Sequence, residues 1–374
     1  MFPSKRRNHA YVLSTLCLVA FFHMNDRVRF LPRSVGTPRE EADFLGLKNY
    51  TKMHSQRDYS SPAIIYQCPT SSSIEWGTLK GRPRAGLSDY RIGIISTFLV
   101  SVLLRMPFFV DCHVFSDLYE ENMIRWKWHS PGQYSVKNGH VRYLDKYNVP
   151  LSVDDFDRCV QNVIQSNRGI IASLSGEVLQ KWGLSHQNAF SVAHEYLFKD
   201  IGLPLQGVDK TRKGPMIVVQ LRVGDTEINE SCRSDVEHCL DIKDARVQQF
   251  VRCPIKVHSM HNLSKSTMYI LSDCECLKRQ LKVFFESTMD TVVLLEEAPT
   301  VTADKYDNIR VMQSFEEGLS LATRADFFII SQDSGVGRQI VARAQKFDRS
   351  FWGDMGDQCE ALDFNAIAHG WSGL

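Results

Sequence analysis

The chain has 374 residues, of which 43% are hydrophobic and 23% are charged, and its formal net charge at pH 7 is +1. This length is enough to bury a large core and favours two domains. A net charge so close to zero excludes a general affinity for nucleic acid, because binding a polyanion requires a basic surface. Neither the cysteines nor the histidines have metal-ligand spacing, so we expect no metal site.

The N-terminus carries a basic cluster followed by an apolar segment. Lys5, Arg6 and Arg7 precede the segment, which covers residues 10–24. A span this short falls below the ~20 residues of a typical membrane helix, so an uncleaved signal anchor, a cleaved signal peptide and neither role all stay open. The anchor is favoured because bulky residues stand where a cleavage site needs small ones. The basic cluster then predicts a cytoplasmic N-terminus and a luminal body.

Two further features agree with a luminal body. Asn49, Asn229 and Asn262 each begin an Asn-x-Ser/Thr triplet and are candidate glycosylation sites. Of the ten cysteines, Cys17 lies in the apolar segment, and the other nine are compatible with disulfides in an oxidising compartment. Because nine is odd, we expect at least one to stay unpaired or to bond to another chain.

The first half of the chain begins with a polar segment and continues with a β–loop–α–β pattern. Residues 25–61 are polar and mixed, and we interpret them as a stem. A strand is predicted at residues 63–66, an apolar helix at 90–104 that ends before Pro107, and a second strand at 108–111. This pattern is the repeating piece of a parallel sheet.

A basic segment that contains proline, residues 210–215, is the predicted boundary between two α/β domains that cover residues 62–210 and 211–374. Residues 154–198, before it, are predicted to be largely helical. After the boundary, strands and helices alternate. The strands are predicted at residues 216–221, 268–271, 291–295 and 326–330, and the helices at 277–285, 315–323 and 335–344.

An arginine stands at the end of the most apolar of these strands. Arg222 follows residues 217–221, and Asp225 lies three residues further on. Ligands of open α/β sheets bind beyond the carboxyl ends of the strands, and the guanidinium fork suits phosphate or carboxylate. The pattern therefore indicates an anionic ligand held by Arg222. A surface arginine paired with Asp225 is the alternative.

Two other strand ends in the same half carry polar groups. Ser334, Gly335 and Val336 lie between a buried strand and a helix, where free amides and the helix dipole favour an anion. An ordinary N-cap at Ser334 is the alternative. Asp273 is predicted either to accept hydrogen bonds from a guanine edge or a ribose, or to cap the following helix.

The glycine-bearing loop in the first half contributes a third candidate region. Gly86, Ser88 and Asp89 precede or open the long apolar helix, and we expect them to line a substrate cleft. Asp89 is predicted either to contact a sugar or to cap that helix.

These motifs together resemble the GT-B fucosyltransferases, which include the α-1,2, α-1,6 and protein O-fucosyltransferases. The first motif of that superfamily usually has the form His-x-Arg-x-Gly/Thr-Asp. Here Gln220 replaces the histidine, as in the plant xyloglucan α-1,2-type enzymes. The similarity covers most of residues 62–345, and its five elements in chain order are residues 84–111, 189–198, 219–225, 272–273 and 331–338.

The resemblance implies a GT-B-like fold of two Rossmann-like domains that face a cleft, with the acceptor on the first domain and GDP-fucose on the second. It implies inversion at the anomeric carbon, no required metal and no cofactor besides the donor. Arg222 and the amides of residues 334–336 would bind the diphosphate, and Asp273 would recognise guanosine. Asp225 and Glu230 are candidates for the general base, although Glu230 lies within the Asn229 triplet.

Three classes of function therefore remain. The favoured class is a fucosyltransferase in the Golgi membrane, or in the endoplasmic reticulum, acting on a glycan or glycoprotein acceptor. A transferase that uses another GDP-sugar is the alternative within this class, and a catalytically inert glycan- or nucleotide-binding relative is the second class. A luminal structural protein is the third class, because an α/β scaffold alone does not specify a function.

Overall fold

The computed structural model describes residues 47–56, 63–67, 87–127, 141–144, 171, 176–199, 212, 214–223, 242–289, 291–295, 309–332, 334–353 and 359–362. The chain divides into two compact units, and the division falls after Lys199. A short segment, Pro83–Ser88, belongs with the second unit. The predicted anchor at residues 1–24 lies outside the described residues. No helix within the described ranges has both the length and the apolar character needed to cross a membrane.

The first unit is built on a small parallel sheet. Its strands β1 (Ala63–Gln67), β2 (Phe108–Asp111) and β4 (Val141–Leu144) are arranged in the order β2-β1-β4. Strands β3 (Glu120–Glu121) and β5 (Phe198–Lys199) form a separate antiparallel pair. The helices are α1 (Leu47–Ser55), α2 (Leu87–Leu104), α3 (His113–Leu118), α4 (Gly176–Lys181) and α5 (Ala189–Leu197).

Helix α2 is apolar on nearly every side and is accordingly buried along most of its length. It ends where Arg105 adopts a left-handed backbone conformation, two residues before Pro107, as the proline predicts. Helix α1, in contrast, lies in the segment interpreted as a stem. The hydroxyl of Tyr50 on α1 is 2.8 Å from Ser101 Oγ and 2.8 Å from the carbonyl of Met106, so this part of the segment is packed.

The second unit alternates strands and helices along the chain. Its strands are β6 (Met216–Leu221), β7 (Ser266–Ser272), β8 (Thr291–Leu295), β9 (Phe327–Ile330) and β10 (Ser350–Trp352). Its helices are α6 (Ala245–Met260), α7 (Glu275–Thr288), α8 (Ile309–Ala322) and α9 (Gly335–Ala344). Every predicted element of this half is present. Helix α6 was not predicted, because Pro254 lies inside it and its sequence is rich in charged and polar residues.

All pairings in the larger sheet are parallel, and the strand order is β10-β9-β6-β7-β8. Numbered from the first strand of the unit, this is the doubly wound order 3-2-1-4-5 read from the other edge. Strands β6, β7 and β9 are buried along their whole lengths, as strands covered on both faces should be. The order of the chain reverses between β6 and β9, which makes that pair the topological switch point.

Candidate anion-binding site

The site lies in the second unit, at the carboxyl ends of the two strands that flank the switch point. Strands β6 and β9 are hydrogen-bonded neighbours, with Gln220 opposite Ile330. The residues that follow them, Arg222 and Ser331, therefore leave the sheet at the same edge. Doubly wound sheets bind their ligands in the crevice at this position, because the crossover connections diverge from it to opposite faces.

Side chains from both neighbouring strands fix the backbone of the β6 end. The amide of Arg222 donates to Ser331 Oγ at 3.0 Å. The next amide, that of Val223, donates to Asp273 Oδ1 at 2.8 Å. Two consecutive amides are thus held from the β9 side and from the β7 side, so the starting point of the Arg222 side chain is fixed.

Helix α9 begins at the same edge, and some backbone amides of its first turn lack an acceptor within the described ranges. Ser334 is the N-cap: its Oγ accepts from the amide of Gly337 at 3.1 Å, and its carbonyl accepts from Arg338 at 3.2 Å. Within the described ranges, the amides of Gly335 and Val336 have no acceptor. The capping alternative for Ser334 is therefore correct, and it leaves two amides available for an anion.

Helix α9 rests directly on the switch point because Gly337 has no side chain. A Cβ at this position would lie 2.6 Å from Gln220 Oε1 and 2.8 Å from Ile330 Cβ. Both contacts are shorter than van der Waals contact, so the first turn of α9 could not approach the strands this closely with another residue. The close approach places the helix amides beside the end of β6.

Arg338 braces the turn that precedes α9. Its side chain is buried, its Nη2 donates to the carbonyl of Gln332 at 2.5 Å, and its guanidinium lies over the ring of Trp352 at 5.6 Å from the centroid. Sequence reasoning did not select Arg338. An arginine one turn into a helix with several small and apolar residues was the available signal.

The structure brings five of the predicted residues to one edge: Arg222, Asp273, Ser334, Gly335 and Val336. Asp273 reaches the edge from β7, and its Oδ1 is used by Val223. The N-cap of α7 is Cys274, so Asp273 does not occupy the capping position considered for it. The carbonyl of Ser88 accepts a hydrogen bond from Gln339 Nε2 on α9 at 2.5 Å, and both residues belong to the second unit.

Other predicted positions are placed only in part. Asp89 lies in α2, and Gly86, Asp225 and Glu230 are outside the described residues. Of the candidate glycosylation sites, Asn49 lies in α1, Asn262 is exposed in the turn after α6 with a φ of 48°, and Asn229 is outside the described ranges.

The edge carries the chemistry of an anion site. Arg222 supplies a permanent charge and up to five N–H donors, and the start of α9 adds two backbone donors and the positive end of the helix dipole. Ser331 and Ser334, which follow β9, contribute neutral hydroxyls to this edge. A phosphate or diphosphate is the group that this combination binds best.

Comparison with known proteins gives a limited result. No protein-family model matches the chain. No curated protein matches it either. Among solved structures, it is similar to a mutant of Arabidopsis thaliana FUT1 in complex with GDP, with 12% identity and a TM-score of 0.47 over 80% of this chain and 76% of that one. This similarity is too low to assign a fold family or a function.

Proposed function

We propose that the chain is a glycosyltransferase of GT-B type that transfers fucose from GDP-fucose to a glycan or glycoprotein acceptor, with inversion and without a metal. The observation that carries the proposal is the joint position of Arg222 and the α9 amides at the switch point of a doubly wound sheet. The five motif elements that resemble the fucosyltransferases support the choice of donor.

The geometry suits a reaction in which a nucleoside diphosphate leaves. As the bond from the anomeric carbon to the β-phosphate oxygen breaks, negative charge develops on the diphosphate. The guanidinium of Arg222 and the amides of Gly335 and Val336 bind that charge more strongly in the transition state than in the ground state, and this difference lowers the barrier. In this proposal Asp273, whose Oδ1 accepts from the amide of Val223, recognises guanosine.

The acceptor hydroxyl must lose a proton during the attack. Asp225 and Glu230 remain our candidates for the base that receives it, since they follow Arg222 closely in the chain. In this proposal the first unit carries the acceptor side, and Gly86, Ser88 and Asp89 are candidates for contacts with the substrate.

We further propose that the body of the protein lies in the lumen of the Golgi, held by the N-terminal segment as a type II anchor. Cys253 and Cys359 form a disulfide, and Cys112, Cys274 and Cys276 are also disulfide-bonded, which agrees with an oxidising compartment. The sulfur atoms of Cys274 and Cys276 are 3.5 Å apart, so these two are not bonded to each other. The exposed Asn262 suits a luminal glycan.

GDP release from GDP-fucose by the purified full chain in detergent, with GDP-mannose as the competing donor, tests this function. We expect hydrolysis that is selective for GDP-fucose. Equal release from both donors would show that the chain does not select GDP-fucose, and faster release from GDP-mannose would favour a transferase that uses another GDP-sugar. GDP binding by calorimetry without any release would favour the inert relative, for which Gln220 in place of the motif histidine is the specific indication. Absence of GDP binding would refute the proposal.

A further inference from the structure

A buried amide side chain next to the anion site lacks a hydrogen-bond partner. Gln220 is 6% exposed, and its Oε1 has no partner in the structure as described. Oε1 lies close to Gly337, where an added Cβ would be 2.6 Å from it. A buried polar atom without a partner destabilises a fold by about 1–3 kcal/mol, so its retention calls for an explanation.

The position of Gln220 limits the possible partners. Side chains two residues apart on a strand project to the same side of the sheet, so residues 220 and 222 share the side on which α9 packs. Gln220 Oε1 touches the first turn of that helix, which is the turn that carries the amides for the anion. An acceptor oxygen cannot bind an anion directly. It can accept a hydrogen bond from a guanidinium that binds the anion.

We propose that Gln220 is a positioning residue: when a diphosphate is bound, its Oε1 accepts a hydrogen bond from the guanidinium of Arg222 and aims the arginine at the phosphate. This inference rests on the proposed function and adds a residue to its donor site. A neutral carboxamide suits the role because a carboxylate there would neutralise Arg222 and repel the phosphate. An apolar residue would remove this acceptor for the guanidinium.

The test is a double-mutant cycle on GDP affinity, measured by calorimetry with the full chain. The variant Gln220→Met keeps an unbranched side chain and removes the amide. We expect it to weaken GDP and inorganic pyrophosphate by about tenfold, the size of a hydrogen bond to a charged group. We expect the same change to have less than a twofold effect in the Arg222→Ala background, because the interaction acts through that arginine.

Thermal unfolding separates this role from a structural one. Gln220→Met should leave the midpoint unchanged or raise it, because an unpartnered buried oxygen is lost. The matched control is Gln280→Met, since Gln280 Oε1 accepts from the amide of Ile242 at 2.9 Å. It should lower the midpoint and leave GDP affinity unchanged. As a second variant, Gln220→Glu should weaken GDP more than Gln220→Met does at pH 7.

Each outcome decides between the alternatives. Equal GDP affinity in the wild type and in both Gln220 variants would overturn the positioning role and leave the proposed function standing. A tenfold loss that persists in the Arg222→Ala background would also overturn it, because Gln220 would then act independently of the arginine. A wild-type chain that binds neither GDP nor pyrophosphate would overturn the proposed function and the positioning role together.

Discussion

The two ends of the β6–β9 strand pair use the same residue type in opposite ways. At the start, Arg212 Nη2 lies 2.5 Å from Asp326 Oδ2, and the same carboxylate oxygen accepts from the amide of Met216 at 2.8 Å. At the end, Arg222 leaves the sheet where β9 contributes Ser331, a neutral hydroxyl. A carboxylate that directly precedes β9 therefore pairs with the first arginine, whereas a hydroxyl that directly follows β9 holds the backbone amide of the second.

The direction of the helices explains this difference. In a parallel sheet with crossover helices, the helix C-termini gather at the start of the strands and the N-termini gather at the end. The start accordingly attracts cations to carbonyls, as when Lys346 Nζ donates to the carbonyl of Ala325 at 2.6 Å. The end presents amides such as those of Gly335 and Val336. An arginine at the start is thus structural, and one at the end is suited to bind an external anion.

The largest expected effect comes from comparing the two arginines. Arg222→Ala should reduce GDP-fucose turnover to less than a tenth of the wild-type rate while the protein remains folded, because the main charge facing the leaving diphosphate is lost. Arg212→Ala should keep turnover and lower the free energy of unfolding by only about 1 kcal/mol, since its ion pair is partly exposed. Turnover assays and urea unfolding measure both. Comparable turnover in the two variants would contradict the different roles assigned to the two arginines.

A pair of glycines gives the next largest effect. Gly337→Ala places a Cβ 2.6 Å from Gln220 Oε1, and Gly214→Ala places one 2.3 Å from the carbonyl of Lys265 at a φ of +68°. Each change should lower the free energy of unfolding by about 1–3 kcal/mol. Only Gly337→Ala should weaken GDP binding, because it displaces the first turn of α9. Calorimetry on both variants at equal folded fraction checks this, and weaker binding by Gly214→Ala would count against it.

The two carboxylates that hold backbone amides offer a third contrast. Asp273→Ala removes the acceptor for Val223, and Asp326→Ala removes the acceptor for Met216 and the partner of Arg212. We expect each to lower the free energy of unfolding by about 1–3 kcal/mol, since a buried or half-buried amide loses its bond. GDP affinity should fall only for Asp273→Ala. If GDP affinity is retained in that variant, Asp273 is a structural residue.

The smallest expected effect is that of the cap. Ser334→Ala should lower the free energy of unfolding by about 1 kcal/mol and weaken GDP binding several-fold, because the amide of Gly337 loses its acceptor and the first turn of α9 loosens. Ser334→Asp is the matched variant: it restores the cap but places a negative charge at the anion site. Recovery of stability with a further loss of GDP affinity would support an anion-binding role for the start of α9. Recovery of both stability and GDP affinity would contradict that role.

Local signals in the sequence determined most of the second unit. Strands β6 and β8 and helix α9 have the predicted bounds. A parallel strand is a continuous apolar run, and α9 has a serine cap at its start. The same signals located Arg222, Asp273 and residues 334–336, because each stands where an apolar run ends. Helix α6 and the packed helix α1 escaped prediction, since internal proline and mixed polarity obscure the helical pattern.

Only the tertiary structure decided which strand ends meet. The order 3-2-1-4-5 makes β6 and β9 neighbours although about a hundred residues separate them, and no local pattern encodes that pairing. Local patterns also do not encode that Ser331 and Asp273 fix the amides after β6. Nor do they encode the contact of Gly337 with Gln220 or the lack of a partner for Gln220 Oε1 within the described structure. The sequence by itself determined which groups could bind an anion, because the residue type sets the charge and the hydrogen-bonding groups of each side chain. Long-range packing decided that they lie together at one edge of the sheet.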